Sequence, residues 1–419
     1  MGRDRSLGER GGFVRFWTAE TVSGFGSAIT AIALQWLIVD TLGRGSDVTG
    51  MVNAARWLPY MIFGLLAGVI IDRLRRRPVL VITDLGRGLL LMAIPALALA
   101  GLLSVPSLII FMIIFGMLSL ANDAASQSIL PRLVPRHQLP AANARIDQAA
   151  AVVQVAGPAL GGSLVKLITA PWAVLVDAAS YLASAVLTLI VRVEEPPPRR
   201  DDTAGRLRRI GREAADGLRW VYGHRMLMPL ALNTNTWFIC NAAANAVLVP
   251  YVYQQLGFGA AAFGLAMAAG GVGALIGALF AVRLGAAFGI GRVVVAALIG
   301  YPIGWALIAL CPGNGWPGWL TFGTAQFILG LVGGAENTNS LAYRQMITPD
   351  ELQGRTNAIM RSTNRAMIVV GALAGGFLAE ALGDRTVLWG IAAGFAVVAI
   401  ALALSPFRTA RLDDVSQHG

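Results

Sequence analysis

The chain has 419 residues, of which 56% are hydrophobic and only 13% charged, with a mean hydropathy of +0.65. That balance excludes an ordinary soluble domain and points to an integral membrane protein. The formal net charge of +10 would suit a nucleic-acid binder, but the basic residues form no soluble module and no aromatic residues interleave with them, so no nucleic-acid partner is expected.

Apolar runs of about twenty residues, enough to cross a bilayer as a helix, can be placed at about 14–41, 48–71, 79–101, 106–130, 146–168 and 171–192, then 227–256, 260–284, 289–311, 317–341, 354–382 and 385–405. The fold class expected is all-α, with twelve transmembrane helices in two six-helix bundles. The opening residues 1–12 are polar, and the run after them is too long for the core of a cleaved signal peptide. Of the 33 basic residues, only Arg44, Lys166 and Arg385 fall in the odd-numbered connections and only Arg56 and Arg87 deep within spans. The rest mark the other face as cytoplasmic, so both termini are expected in the cytoplasm of a bacterial inner membrane.

The turn between the second and third spans reads Gly68-Val-Ile-Ile-Asp72-Arg73-Leu-Arg75-Arg76-Arg77-Pro78. Four arginines between two apolar runs belong at a membrane face, and Pro78 opens the next helix where its missing N–H costs nothing. Farther on, Glu194-Glu195-Pro196-Pro197-Pro198-Arg199-Arg200-Asp201-Asp202 is a charged linker that no bilayer would accept. Leu207, Ile210, Ala214, Leu218 and Val221 then recur at helical spacing among Arg206, Arg208, Arg209, Arg212 and Arg219, an amphipathic helix whose basic face would meet anionic headgroups. The expected domains are an N-terminal bundle over 1–192, a cytoplasmic linker over 193–226, a C-terminal bundle over 227–405 and a tail over 406–419.

An internal repeat appears at an offset of 214 residues: Pro135, Asn143, Gly157, Gly161 and Gly162 return as Pro349, Asn357, Gly371, Gly375 and Gly376. Two copies of one unit suit a transporter whose halves rock about a central path.

Ionisable groups at membrane depth cost about 2.5–3.5 kcal/mol each on insertion scales and are functional suspects by default. Asp40, Asp84, Arg87 and Glu380 lie close enough to a predicted interface to act as anchors there. A coupled proton needs a carboxyl that moves between dry and wet surroundings, and Glu20, Asp177 and Glu336 are the candidates, with Arg361 able to approach Glu336. Glu20 shares a face with Gly24, Ser27, Ala31 and Gln35, a small and polar stripe expected to face the cavity. Asn233, Trp237, Asn241 and Asn245 make a four-residue stripe unsuited to lipid, which either lines the cavity or packs helix on helix. Gln35, Trp36, Gln326 and Asn339 are further candidates for the cavity wall. Such a lining, rich in amides and aromatics, suits an uncharged or amphipathic organic molecule.

The spacing Gly-x-x-x-Asp-Arg-x-x-Arg-Arg at residues 68–77 resembles the loop signature of the major facilitator superfamily of transporters, with Arg75 where that family often has glycine. Gly157-Pro158-Ala159-Leu160-Gly161-Gly162 resembles the fifth-helix motif of its antiporters. Together with Ser128-Ile-Leu-Pro131-Arg132-Leu-Val-Pro135, Leu175-Val-Asp177-Ala-Ala-Ser180-Tyr181 and Pro349-Asp350-Glu351-Leu352-Gln353-Gly354-Arg355, these residues look like the drug:proton antiporter branch of enterobactin exporters and macrolide-efflux proteins. The resemblance implies that Gly68, Asp72, Arg73, Arg76 and Arg77 form a gating motif. It further implies that Arg76 pairs with Asp123 while Asp72 faces the helix start near Gly354 and Thr356, that Glu336 with Arg283 or Arg292 is the second half's weaker counterpart, and that substrate contacts come from spans 1, 4, 7 and 10. The expected function is proton-coupled efflux of a small amphipathic molecule by a monomer. An importer or lipid flippase of the same fold, or a membrane receptor that has lost transport, are the alternatives. No enzyme, cofactor or metal site is expected, because the chain lacks a phosphate-cradling Gly-x-x-x-x-Gly-Lys loop, Lys166 is its only lysine, and its cysteines and histidines show no ligand spacing.

Overall fold

The computed structural model describes residue 7 and residues 11–71, 73–191 and 203–411, apart from the side chains of residues 68–69 and 203–210. Asp72, residues 193–202 of the linker and residues 412–419 of the tail lie outside the described residues. Two bundles are built from α1 (Gly11–Trp36), α2 (Ser46–Ile71), α3 (Arg76–Leu99), α4 (Val105–Leu133), α5 (Leu139–Ile168) and α6 (Ala170–Ile190), and from α8 (Leu227–Pro250), α9 (Ala260–Phe288), α10 (Ile290–Ala309), α11 (Trp316–Ile347), α12 (Asp350–Leu382) and α13 (Asp384–Leu404). Between them runs α7 (Thr203–Gly223). Nine of these helices are, among the described residues, long and apolar enough to cross a membrane. α2, α8 and α11 fall outside that group, and the last two are the helices interrupted by amides and Glu336.

The offset of the sequence repeat is carried into the backbone. α2, α3 and α6 start at residues 46, 76 and 170, and α9, α10 and α13 start 214 residues later. A five-residue π-turn at Leu37–Thr41 recurs at Tyr251–Gln255. Left-handed residues recur as well: Gly43 (φ 60°) with Gly257 (φ 69°), and Thr169 (φ 67°) with Gly383 (φ 87°). Helix neighbours follow the same rule, since α1 packs on α5 and α6, α2 on α4, and α3 on α4 and α6, as α8 does on α12 and α13, α9 on α11, and α10 on α11 and α13. The two bundles are thus related by a pseudo-twofold axis.

Several helices outrun the spans expected from hydropathy. α5 begins at Leu139 and α12 at Asp350, ahead of the expected 146 and 354, and α11 runs to Ile347. Apolarity marks where lipid ends, whereas a helix continues into water as long as its backbone bonds are made locally. Asn143, Arg145 and Asp147 extend α5 in this way.

The bundles meet along two seams, α2 on α12 and α5 on α9. Glycine sets both. Gly50 lies against the carbonyl of Ala372 and its repeat partner Gly264 against that of Pro158, while Gly162 abuts the carbonyl of Ala260 and Gly376 that of Ser46. A Cβ at any of these positions would run into backbone, so only glycine permits the approach.

α7 docks on α8 and α12, whereas its amphipathic pattern suggested a helix lying on headgroups. Val221 is fully buried with Ala231 and Met360, Gly217 rests on Arg355 and Ile359, and Arg355 meets Asp216 at 3.3 Å. Tyr222 accepts a 2.6 Å hydrogen bond from Asn235, which ties this helix to the second bundle.

Candidate functional site: a cavity in the second bundle

A cavity of about 800 Å³ lies against the second bundle, with walls from α8 to α13 and, from the first bundle, α5 alone. It runs along α11 from Gln326 to Arg344, near that helix's end on the face bearing the α2–α3 and α4–α5 turns. Of the glycines in the wall, Gly270, Gly330 and Gly334 bring α9 and α11 together, Gly271 rests on Val155 of α5, and Gly333 faces the Tyr301 hydroxyl. α9 and α11 can make this wall because they touch backbone to backbone, with Gly277 against Leu331 and Gly334 against Ala274.

Trp237, Asn241 and Asn245 face the cavity from α8. Asn245 donates to the carbonyl and side-chain oxygens of Asn241 at 2.8 and 3.0 Å, which fixes that part of the stripe. One turn earlier, Asn233 is buried and donates to Glu336 at 3.4 Å, while Ser340 donates to the same carboxylate at 2.8 Å. Glu336, 9% exposed, has no basic partner among the described residues. Tyr301 and Phe395 stack at 4.8 Å in the wall. The Trp237 indole N–H, the Tyr301 hydroxyl, Gln326 Nε2 and Asn364 Oδ1 are buried with no hydrogen-bond partner among the described residues. Buried polar atoms left open in this way ordinarily find partners, so this wall is equipped to bind an organic molecule through polar contacts on an aromatic surface.

The first bundle holds its charges differently. Asp84 pairs with Arg87 and accepts from Asn122 at 3.0 Å and Ser184 at 2.7 Å, and Arg87 lies 4.2 Å over the ring of Tyr181. Asp84 and Arg87, expected as interfacial anchors, are buried at 3% and 7% exposure, because each neutralises the other far from headgroups. Glu20 accepts from Ser126 at 3.1 Å, and Ser27 bonds Tyr181 at 2.7 Å. The α1 stripe expected to face the cavity therefore packs inside its own bundle. Asp177 is fully buried beside Ser180 and Gly26.

Trp36 and Gln35 lie outside this cavity's wall. Trp36 is 3% exposed and packs edge-on to Tyr253 at 6.3 Å and against Phe263 at 5.3 Å, closing the end of the molecule opposite the α2–α3 turn. Tyr253 donates to Asp40 at 2.5 Å in the same seal, and Asp384 takes bonds from Ser46 at 2.6 Å and Gln255 at 3.1 Å. Asn339 is also outside the wall: it donates to the carbonyls of Ala281 at 3.1 Å and Ala335 at 2.9 Å, the helix-packing role its type allowed. Arg361 reaches Gln127 of α4 at 3.0 Å rather than Glu336. Glu336 meets Asn233 and Ser340 instead of Arg283 or Arg292, because it sits eleven residues, about 16 Å, inside the end of α11.

In the arginine turn, Gly68 lies in the last turn of α2, Arg73 follows it, Arg76 opens α3, and Arg77 donates to the carbonyl of Leu189. Asp123 accepts a 2.8 Å hydrogen bond from Tyr60. In the α5 motif, Gly157 and Gly161 rest on α1 at Ala28 and Ile29, Gly162 sits on the seam, and Pro158 lines the cavity. Sequence reasoning missed Tyr301, Trp305, Arg344, Asn364 and Phe395. The repeat could have found two of them, since residues 214 before Tyr301 and Phe395 are Arg87 and Tyr181, a pair stacked in the same place.

A family model described as transmembrane secretion effector (MFS_3) matches residues 9–418. An uncharacterized MFS-type transporter, y4rN of Sinorhizobium fredii, is 27% identical and covers 94% of this chain and 95% of its own. The multidrug efflux pump Tap of Mycolicibacterium fortuitum is 25% identical, covering 90% and 91%. Among solved structures, the nucleoside transporter NupG superposes with a TM-score of 0.73 at 13% identity over 93% of this chain and 98% of its own. A bacterial homologue of the iron transporter ferroportin does so with 0.73 at 14% identity, over 97% and 100%. A multi-pass membrane protein and not an enzyme, the chain belongs to the transmembrane secretion effector family of major facilitator superfamily transporters.

Proposed function

We propose that this chain is a proton-coupled exporter of small amphipathic organic molecules, with the second-bundle cavity as its substrate site. The observation that carries the reading is the wall itself, aromatics and open amides around Glu336, a carboxylate with no cation beside it among the described residues. Such a carboxylate can take up and release a proton as the cavity changes from dry to wet. The arginine-rich face is cytoplasmic in the inner membrane of a bacterium, so the cavity serves that side while the Trp36, Tyr253 and Asp384 contacts close the outer end. Asp72, Arg73, Arg76, Arg77 and Asp123 latch the cytoplasmic end in the alternate state. Each chain holds a whole cavity and works as a monomer. The resemblance to Tap and to a macrolide efflux protein of Streptococcus pyogenes, 23% identical over 43% of this chain, supports export of drug-like compounds.

Everted vesicles test this. They should accumulate a macrolide when a proton gradient is imposed and lose that accumulation with an uncoupler. Glu336→Gln should abolish gradient-driven accumulation while exchange of internal for external compound continues. Gradient-driven accumulation at the wild-type rate in that variant would remove Glu336 from coupling.

A further inference from the structure

The cavity wall contains two charged side chains, Glu336 and Arg344, both on α11. Neither has a counter-charge beside it among the described residues. Glu336 is held by Asn233 and Ser340 alone. Arg344 has no acid beside its guanidinium among the described residues, and its Nε is buried with no hydrogen-bond partner. Other arginines near the cleft between the bundles are engaged elsewhere: Arg365 lies 4.2 Å over Trp57, Arg361 reaches Gln127, and Arg355 meets Asp216. Half-buried charges without partners are costly, and a wall that carries one of each sign favours the ligand that neutralises both.

Eight residues separate the two charges, two helical turns or about 12 Å at 1.5 Å per residue. They are too far apart to neutralise each other and suitably spaced for the two ends of one molecule. Between the two charges the wall presents Thr338, Ser340 and Leu341, and one turn beyond Glu336, beside Gly333, it adds the flat surface of the Tyr301–Phe395 stack. We infer that the cavity binds amphipathic zwitterions lengthwise along α11, with a basic amine at Glu336 and an acidic group at Arg344. The inference rests on the reading of this cavity as the substrate site and names the chemical class it prefers.

The test is binding to the full chain in lipid nanodiscs with three related probes. Radiolabelled ciprofloxacin carries a piperazine cation and a carboxylate at opposite ends of a flat ring system. Its methyl ester loses the anion, and its N-acetyl derivative loses the cation. Ciprofloxacin should bind about tenfold or more tighter than either, the loss expected for one charge-assisted hydrogen bond. Arg344→Gln should erase the preference over the ester, Arg344→Lys should keep most of it and show that the site is folded, and Glu336→Gln should erase the preference over the N-acetyl compound. Equal binding of all three probes to the wild-type chain overturns the inference whether or not the variants fold, as does a preference over the ester that survives Arg344→Gln. If everted vesicles move a macrolide but the three probes bind alike, the zwitterion assignment falls and the exporter reading stands. If the vesicles move nothing and no probe binds, both fall.

Discussion

The two bundles share one backbone plan and use it for opposite purposes. Where the first stacks Arg87 on Tyr181 and ties Arg87 to Asp84, the second stacks Tyr301 on Phe395 and carries no ion pair there. Where α4 places Asn122 as a donor to Asp84, α11 places Glu336 beside open space. The first bundle has enclosed Asp84 and Arg87 in a mutual pair, with Glu20 and Asp177 held by serines, and the second has left one acid and one base facing a cavity. A duplicated scaffold can therefore place an enclosed ion pair in one copy and a cavity at the corresponding place in the other.

The largest effect should come from breaking the enclosed cluster. Arg87→Met strands Asp84 in the interior and should destabilise the chain by about 3–5 kcal/mol, read as lost monodisperse protein and a lower Tm in detergent. Adding Asp84→Asn should recover part of that loss. A single variant as stable as wild type would mean that the cluster is not the structural half of the comparison.

A smaller effect is expected at the seams, which both halves share. Gly162→Val drives a side chain into the Ala260 carbonyl, and overpacking of this kind costs about 1–3 kcal/mol. Spin labels at positions 43 and 257 should then report a wider separation of the outer ends. An unchanged distance distribution would show that the seam does not hold them together.

The smallest is at Asn339. Asn339→Ala removes a bond to the Ala281 carbonyl and should lower stability by about 1 kcal/mol, measured as a Tm shift, with probe affinity nearly unchanged. A tenfold loss of affinity would return Asn339 to the cavity wall.

Much of this architecture was legible in the residues. Length, apolarity and the five identities at an offset of 214 led to two related bundles, because lipid leaves a helix few alternatives and a repeat fixes its own symmetry. The site was only partly legible. Trp237, Asn241, Asn245, Gln326 and Glu336 stood out because polar groups are rare at membrane depth. Gln35, Trp36 and Asn339 stood out for the same reason but lie outside the wall, since polarity says that a partner exists without saying which helix supplies it. Arg344 was overlooked because, near the end of α11, it reads like any arginine that snorkels to an interface. Its lack of a counter-charge is a tertiary fact.

The glycine seams also bear on motion. α2 meets α12, and α5 meets α9. At the glycines main chain meets main chain, while farther along Trp57 and Leu58 of α2 pack with Ile368, Val369 and Leu373 of α12 and Arg365 lies over Trp57, so that seam joins a close pivot to a patch of side chains. Any rocking of the bundles would also have to part the polar contacts at the outer end, Tyr253 with Asp40 and Ser46 and Gln255 with Asp384, where solvent can reach them.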